Sequence, residues 1–277
     1  MPRPNPTLAY AAIGAVALAC VGIAATVRAG DEQTGSVATI SRALCDDMAK
    51  HNVIRPGVPV GCARLSLIKF AYVDFGGHVH GDGEIVVMDA AAENVLRIFA
   101  KLREMRFPIA KARLIDHYDG NDDASIADNN TSAFNARNVA GTNSLSLHAY
   151  GLAIDINPIQ NPYVQRLGGK PIFSPPAGVE YANRKKARAG MAESVVDVFA
   201  DEGFVVWGGN WHDPIDYQHF QVSRGFAARL ARLSAAQARA AFAQHVERYR
   251  ACRRNGASES SRAKCIARDA ATGRVGN

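Results

Sequence analysis

From Leu152 to Asn157 the chain alternates with a period of two. Leu152, Ile154 and Ile156 share one face, and Ala153, Asp155 and Asn157 share the other. A strand patterned this way packs its aliphatic face on a core and turns Asp155 toward a cleft. His148 lies seven residues earlier, an odd separation that a straight strand would place on the opposite face. The chain must bend between them. Gly151 is the place, because glycine tolerates backbone angles closed to other residues and lets another segment approach.

A second stretch, Asp216-Tyr-Gln-His219-Phe220-Gln221-Val222, repeats the alternation. Phe220 and Val222 are expected toward the core, His219 and Gln221 toward the cleft, and Asp216 at a loop end. His148, Asp155 and His219 are therefore candidate metal ligands, with the Asp216 carboxylate as a nearby proton acceptor. Zinc takes imidazole nitrogen and carboxylate oxygen tetrahedrally, and three protein ligands leave one position for water. Taken singly, each of these residues is an ordinary core or surface side chain. Their joint occurrence beside Gly151 and Trp207-Gly-Gly-Asn-Trp211 gives them weight.

The remaining pattern predicts an α+β fold, with helices packed on a mostly antiparallel sheet. A short helix is expected over Ile40–Lys50, then an apolar strand from Leu65 to Phe75. Gly76-Gly77 and Gly81-Asp-Gly83 read as hairpin punctuation before a strand over Glu84–Met88. Asp89 is the expected N-cap of a helix that buries Val95, Ile98, Phe99, Leu102 and Met105 and ends by Pro108. Arg113–Asp116 reads as a strand and 119–132 as a loop. Residues 158–190, proline-bearing and with a basic Arg184-Lys-Lys186 cluster, read as a long surface insertion. Met191–Glu202 is expected as a helix stopped by Gly203, with Phe204–Trp207 and Phe220–Val222 as strands. Ser234-x-x-Gln237 is a capping box that opens a final helix to about Cys252.

The ends carry a different signal. Arg3 precedes an uncharged, mostly apolar run from Leu8 to Val27, and Val27-Arg28-Ala29 offers a cleavage point before Gly30. This is the pattern of a secretory signal peptide. At about 20 residues the run also suffices to span a bilayer, so an uncleaved anchor stands beside it, as does a lipoprotein at Cys20. Without the signal four cysteines remain, Cys45, Cys62, Cys252 and Cys265, and an even number in an exported chain suggests two disulfides. Of three pairings the local one, Cys45–Cys62 with Cys252–Cys265, is expected. The formal net charge is +6, and loss of Arg3 and Arg28 lowers it by two to +4. That excess suits an anionic wall polymer. A basic-aromatic stripe is lacking, which excludes a nucleic-acid partner.

Ser146-x-His148-x-x-Gly151-x-Ala153-x-Asp155, with the downstream acid-x-x-His of Asp216 and His219, resembles the zinc D-alanyl-D-alanine carboxypeptidase and L-alanyl-D-glutamate peptidase family. The arrangement Trp-Gly-Gly-x-Trp…Asp-x-x-His-Phe-Gln is most similar to the family's L-alanyl-D-glutamate endopeptidases. The resemblance covers residues 85–225. It implies a hedgehog/DD-peptidase fold and action on peptidoglycan stem peptides. It makes His148, Asp155 and His219 ligands of Zn2+ and Asp216 the general base. Arg137 stands where the family has an arginine that contacts substrate or the developing oxyanion, but in an Ala-Phe-Asn-Ala-Arg context instead of Ser-Gly-Tyr-Arg. Ser146 is expected to position a ligand or the substrate.

The expected division is a signal or anchor at 1–29, an N-terminal region at 30–84, a zinc peptidase core at 85–225 and a C-terminal helix and tail at 226–277. The expected protein is an exported, periplasmic or extracellular monomer whose contact with a membrane, if uncleaved, runs through residues 8–27. Carboxypeptidase and endopeptidase activity both remain open. Arg137, Arg184, Lys185 and Lys186 are candidate cations for a terminal carboxylate. A non-catalytic, zinc-containing wall-binding module and a metal-free structural envelope protein are the rival readings. His78, His80, Asp116, His117 and His212 are weaker site candidates.

Overall fold

Three antiparallel sheets and their packing helices are seen in a computed structural model, which describes residues 1–2, 35–254 and 263–266. The expected leader with Cys20, its expected cleavage point and most of the expected polar tail lie outside these residues. Residues 33–277 cluster as one compact unit.

The first sheet holds β1 (Gly35–Thr39), β2 (Leu65–Val73) and β3 (Val79–Met88) in the order β1-β2-β3. Between β1 and β2 lies helix α1 (Arg42–Lys50), capped by the Ser41 hydroxyl, which accepts from Leu44 N. Gly81-Asp82-Gly83 is not a turn but part of β3. Gly83 pairs with Phe70, and a Cβ there would meet the Phe70 ring at 2.7 Å. Glycine serves here for close approach to an aromatic neighbour, a use that sequence punctuation does not separate from a turn.

Helix α2 (Ala92–Glu104) covers this sheet. Val95, Ile98, Phe99 and Leu102 are buried at helical spacing, and Phe99 stacks on Phe70 at 3.8 Å between ring centres. Met105 lies past the last turn and is exposed. Asp89 does not cap α2, whose N-cap is Ala91. Its carboxylate instead pairs with Arg64 at 3.1 Å, a long-range ion pair that took precedence over the local cap.

Arg113–Asp116 is not a strand. The chain turns through a 3-10 segment at Ile115–Tyr118, and Asp119 closes it in the left-handed region. The expected loop at 119–132 contains helix α3 (Asp122–Ala127), capped by the Asn121 side chain through Ala124 N.

The second sheet has the order β4-β9-β7, from β4 (Ala153–Asp155), β7 (Val206–Trp207) and β9 (His219–Gln221). Ile154 and Phe220 are cross-strand partners, fully buried, and Phe199 stacks on Phe220 at 3.9 Å. Phe199 belongs to α4 (Val196–Asp201), which a 3-10 turn at Ala192–Val195 precedes and Gly203 follows at φ 100°.

The third sheet occupies the expected surface insertion. Strands β5 (Tyr163–Leu167) and β6 (Lys170–Ser174) form a hairpin, and β8 (Ile215–Asp216) adds to β5, giving β6-β5-β8. Arg184, read as part of an exposed basic cluster, is drawn in. Its guanidinium donates to Gln160 O, Asn161 Oδ1 and Glu193. The chain then runs through α5 (Arg224–Arg232) into α6 (Ala235–Arg254), whose Ser234/Gln237 capping box is formed as expected.

Both local disulfides are present, Cys45–Cys62 and Cys252–Cys265, closing loops of 17 and 13 residues. In the chain-entropy account each contributes about 3 kcal/mol by restricting the unfolded state. Among the described residues no helix is long and apolar enough to cross a membrane.

Candidate active site

Asp155 and His219 are direct cross-strand partners on β4 and β9. Opposed residues in an antiparallel pair lie close enough for their side chains to touch. Asp155 Oδ1 is 2.8 Å from His219 Nδ1. His148 arrives from the other side, on a 3-10 turn at Leu147–Tyr150, and brings Nε2 to 3.0 Å from Asp155 Oδ2. The Ser146 hydroxyl opens that turn by accepting from His148 N at 3.3 Å.

Gly151 ends the turn at φ 64°. A Cβ there would stand 2.5 Å from Met88 N, which donates to Gly151 O. One glycine thus supplies both the bend and the close approach of the first sheet.

The second nitrogen of each imidazole is committed. His148 Nδ1 faces the carbonyl oxygen of Ala133 at 2.5 Å, and His219 Nε2 faces Gln221 Oε1 at 2.7 Å. A carbonyl only accepts, so both outer nitrogens are donors. The inner nitrogens, 3.3 Å apart, converge with the Asp155 carboxylate. His148, Asp155 and His219 are buried, and their ligand atoms lie within 4.8 Å of one another. Two imidazole lone pairs and a carboxylate directed at one point repel each other unless a cation or protons sit between them. The donor set therefore fits a metal ion, and its outer hydrogen bonds are those that orient histidine ligands.

The same congestion shows in the proton affinities. Burial opposes charge on Asp155, yet the facing His148 and His219 hold its carboxyl well below the usual range. Burial likewise opposes charge on His219, but Asp155 outweighs it and raises that imidazole to about 9.

Asp216 is on β8, paired with Tyr163 of β5, and not at a loop end. The insertion hairpin supplies the strand on which it sits. The residue is half-buried overall, but its Oδ1 is closed to solvent and lacks a hydrogen-bond partner. Burial pushes its carboxyl up to about 7, with His219 pulling the other way. Gly208 lets Asp216 sit where it does, because a Cβ at 208 would meet Asp216 O at 2.5 Å. Trp207 Nε1 donates to Tyr217 O at 2.8 Å, so the Trp-Gly-Gly run braces the segment that carries the acid.

A cleft of about 480 Å3 joins these groups, lined among others by Arg137, Ser146, Tyr163, Trp211, Asp216 and Arg224. Arg137 reaches it from the segment that flanks β4, where Ser132 and Asp155 exchange backbone hydrogen bonds. Its Nη2 is 2.7 Å from Asp122 Oδ2, and its buried Nε has no hydrogen-bond partner. Asp122 was missed from sequence because it falls in the expected loop. Asn121-Asp122, a cap followed by a first-turn acid, is the signal that marks α3.

The weaker candidates fall elsewhere. His78 and His80 share Asp74 on the first hairpin, at 3.4 and 2.8 Å. Asp116, His117 and His212 do not line the cleft, and neither do Arg184, Lys185 and Lys186. A groove of about 720 Å3 lies apart from the cleft, bordered by Arg97, Glu202, Asp201 and Arg253. Those charges pair with one another, Arg97 with Glu202 at 2.9 Å and Arg253 with Asp201 at 2.8 Å.

Residues 140–222 match a family model described as D-alanyl-D-alanine carboxypeptidase. The match spans less than a third of the chain. The match includes His148, Asp155, Asp216 and His219, while Arg137 and Asp122 precede it. No curated protein and no solved structure is matched.

Proposed function

We propose that this protein is an exported zinc metallopeptidase that hydrolyses peptidoglycan stem peptides. The observation that carries this reading is the convergence of His148, Asp155 and His219 on one point, with outer nitrogens already donating. The carboxypeptidase family match supports the substrate class. The two disulfides support a chain matured outside a reducing compartment.

His148, Asp155 and His219 would hold the zinc. When bound, zinc supplies Lewis acidity, which polarises a carbonyl and makes a water easier to deprotonate. Asp216, which lines the cleft, takes the proton of the attacking water and passes it to the leaving amine. Arg137, fixed through Nη2 by Asp122, lines the cleft and would set its positive charge near the developing oxyanion. Trp211, tilted over His219 at 5.6 Å, and Tyr163 of the hairpin narrow the cleft around a peptide.

The test is mass spectrometry of muropeptides digested by purified residues 30–277, with chelator and with zinc restored. Zinc-dependent loss of one terminal alanine identifies a carboxypeptidase. Release at the L-Ala–D-Glu bond identifies an endopeptidase, the outcome toward which Asp216 and the Trp-Gly-Gly run point. One bound zinc without cleavage of any muropeptide would replace the proposal with a non-catalytic wall-binding module.

A further inference from the structure

Two arginines line the cleft, and their electrostatic states differ. Arg137 is already neutralised by Asp122 at 2.7 Å. Arg224 has no carboxylate partner among the described residues. Its one hydrogen bond runs from Nη1 to the carbonyl oxygen of Leu145, at 2.7 Å. That bond pins the guanidinium beside Ser146, at the mouth of the turn that carries His148. From the other side Arg224 follows β9 directly, three residues after Gln221, the acceptor for His219. Both chain segments that bring histidines to the site therefore anchor this one side chain.

Besides the two imidazoles, the other charged residues of the cleft lining are Asp122, Asp123, Asp155 and Asp216, all acidic. Asp122 is offset by Arg137 and Asp155 by the two imidazoles, which leaves Asp123 and Asp216 facing an anionic substrate group. Arg224 alone offers it an uncommitted cation, with Nη2 and Nε outside the Leu145 bond.

Resting on the peptidase reading above, we infer that Arg224 is a specificity-determining residue that binds a carboxylate of the substrate. That carboxylate is either the free C-terminus of a stem peptide or the acidic group of an internal residue. The cleft geometry and the unpaired charge are common to both. The first source makes the enzyme measure the end of a chain; the second lets it cut within one.

The experiment compares wild type, R224Q and R224K in the full chain, by calorimetric binding of three synthetic peptides. One ends in D-Ala-D-Ala with a free carboxylate. The second is its C-terminal amide. The third is amidated at its end but carries a free D-glutamate carboxylate. An ion-paired hydrogen bond predicts that wild type prefers one carboxylate peptide over the fully amidated one by about tenfold. R224Q loses that preference, and R224K keeps part of it. Preference for the first peptide assigns the terminal carboxylate, and preference for the third assigns the internal one. A preference that survives unchanged in R224Q, or no preference in wild type, overturns the inference. Binding is read in an Asp216→Ala background, where zinc is kept and the peptides are not turned over, so a failure of the peptidase reading appears separately, as absent zinc-dependent cleavage of the same peptides by the protein with Asp216 intact. In an active enzyme the R224Q change falls on KM with kcat nearly retained, which a general structural defect would not produce.

Discussion

The two small sheets that meet at the cleft are built to different standards. The β4-β9-β7 sheet sits on the main core, with Ile154, Phe220 and Val222 fully buried behind Asp155 and His219. The β6-β5-β8 sheet is a surface hairpin with Leu167 and Ile172 about half exposed, and β8 is only two residues long. The first carries Asp155 and His219; the second carries Asp216. The proposed metal ligands Asp155 and His219 thus rest on the main core, and the proposed proton acceptor rests on an appended hairpin. Binding and chemistry should therefore be separable by substitution.

Asp155→Ala tests the first half and carries the largest expected effect. It removes the carboxylate between two imidazoles, so bound zinc falls from about one per chain to near zero and cleavage is lost. Metal analysis and muropeptide digestion read both. Full zinc content in this variant would break the assignment of β4 as a ligand strand. Asp216→Ala tests the second half. Here zinc is retained while kcat falls by about 10²–10⁴-fold, the usual loss on removing a general acid–base group. Full activity in the purified variant would dismiss Asp216 from its role. Gly208→Ala is subtler, because its Cβ would press on the Asp216 backbone. Displacement of the acid by about 1 Å predicts a loss of up to about 10²-fold in kcat, again with zinc retained. A drop in zinc content for this variant would show that the two sheets are not independent.

The same division explains what the sequence revealed. Asp155 and His219 were legible because their strands alternate strictly, and alternation reports a half-buried sheet. Gly151 was legible because a bend was required between two residues of fixed chemistry. The disulfide pairing followed from cysteines at either end of short segments. Asp216 was identified as a residue, but its setting was not. The β5–β6 hairpin has exposed apolar residues, paired glycines at its tip and a proline in β6, so its pattern resembles a loop. Gly83 misled in the opposite sense, since a glycine that makes room for Phe70 looks the same as a glycine that makes a turn. Asp89 was misread and Asp122 was missed for a shared reason. Each acts through a distant arginine, Arg64 or Arg137, and no local window contains its partner.

The histidines at the site differ in reach. His148 presents Nε2, the far nitrogen of its ring, whereas His219 presents Nδ1, the near one. The near nitrogen is one bond closer to the backbone, so His219 works on a short arm and His148 on a long one. A short arm has little freedom to correct an error in its mounting. Its strand must be held firmly, and β9 is the inner strand of its sheet, clamped by β4 and β7. The long arm tolerates more play at its root, and His148 is mounted on a single 3-10 turn. The stiffness of each mounting thus matches the leverage of the ring it carries.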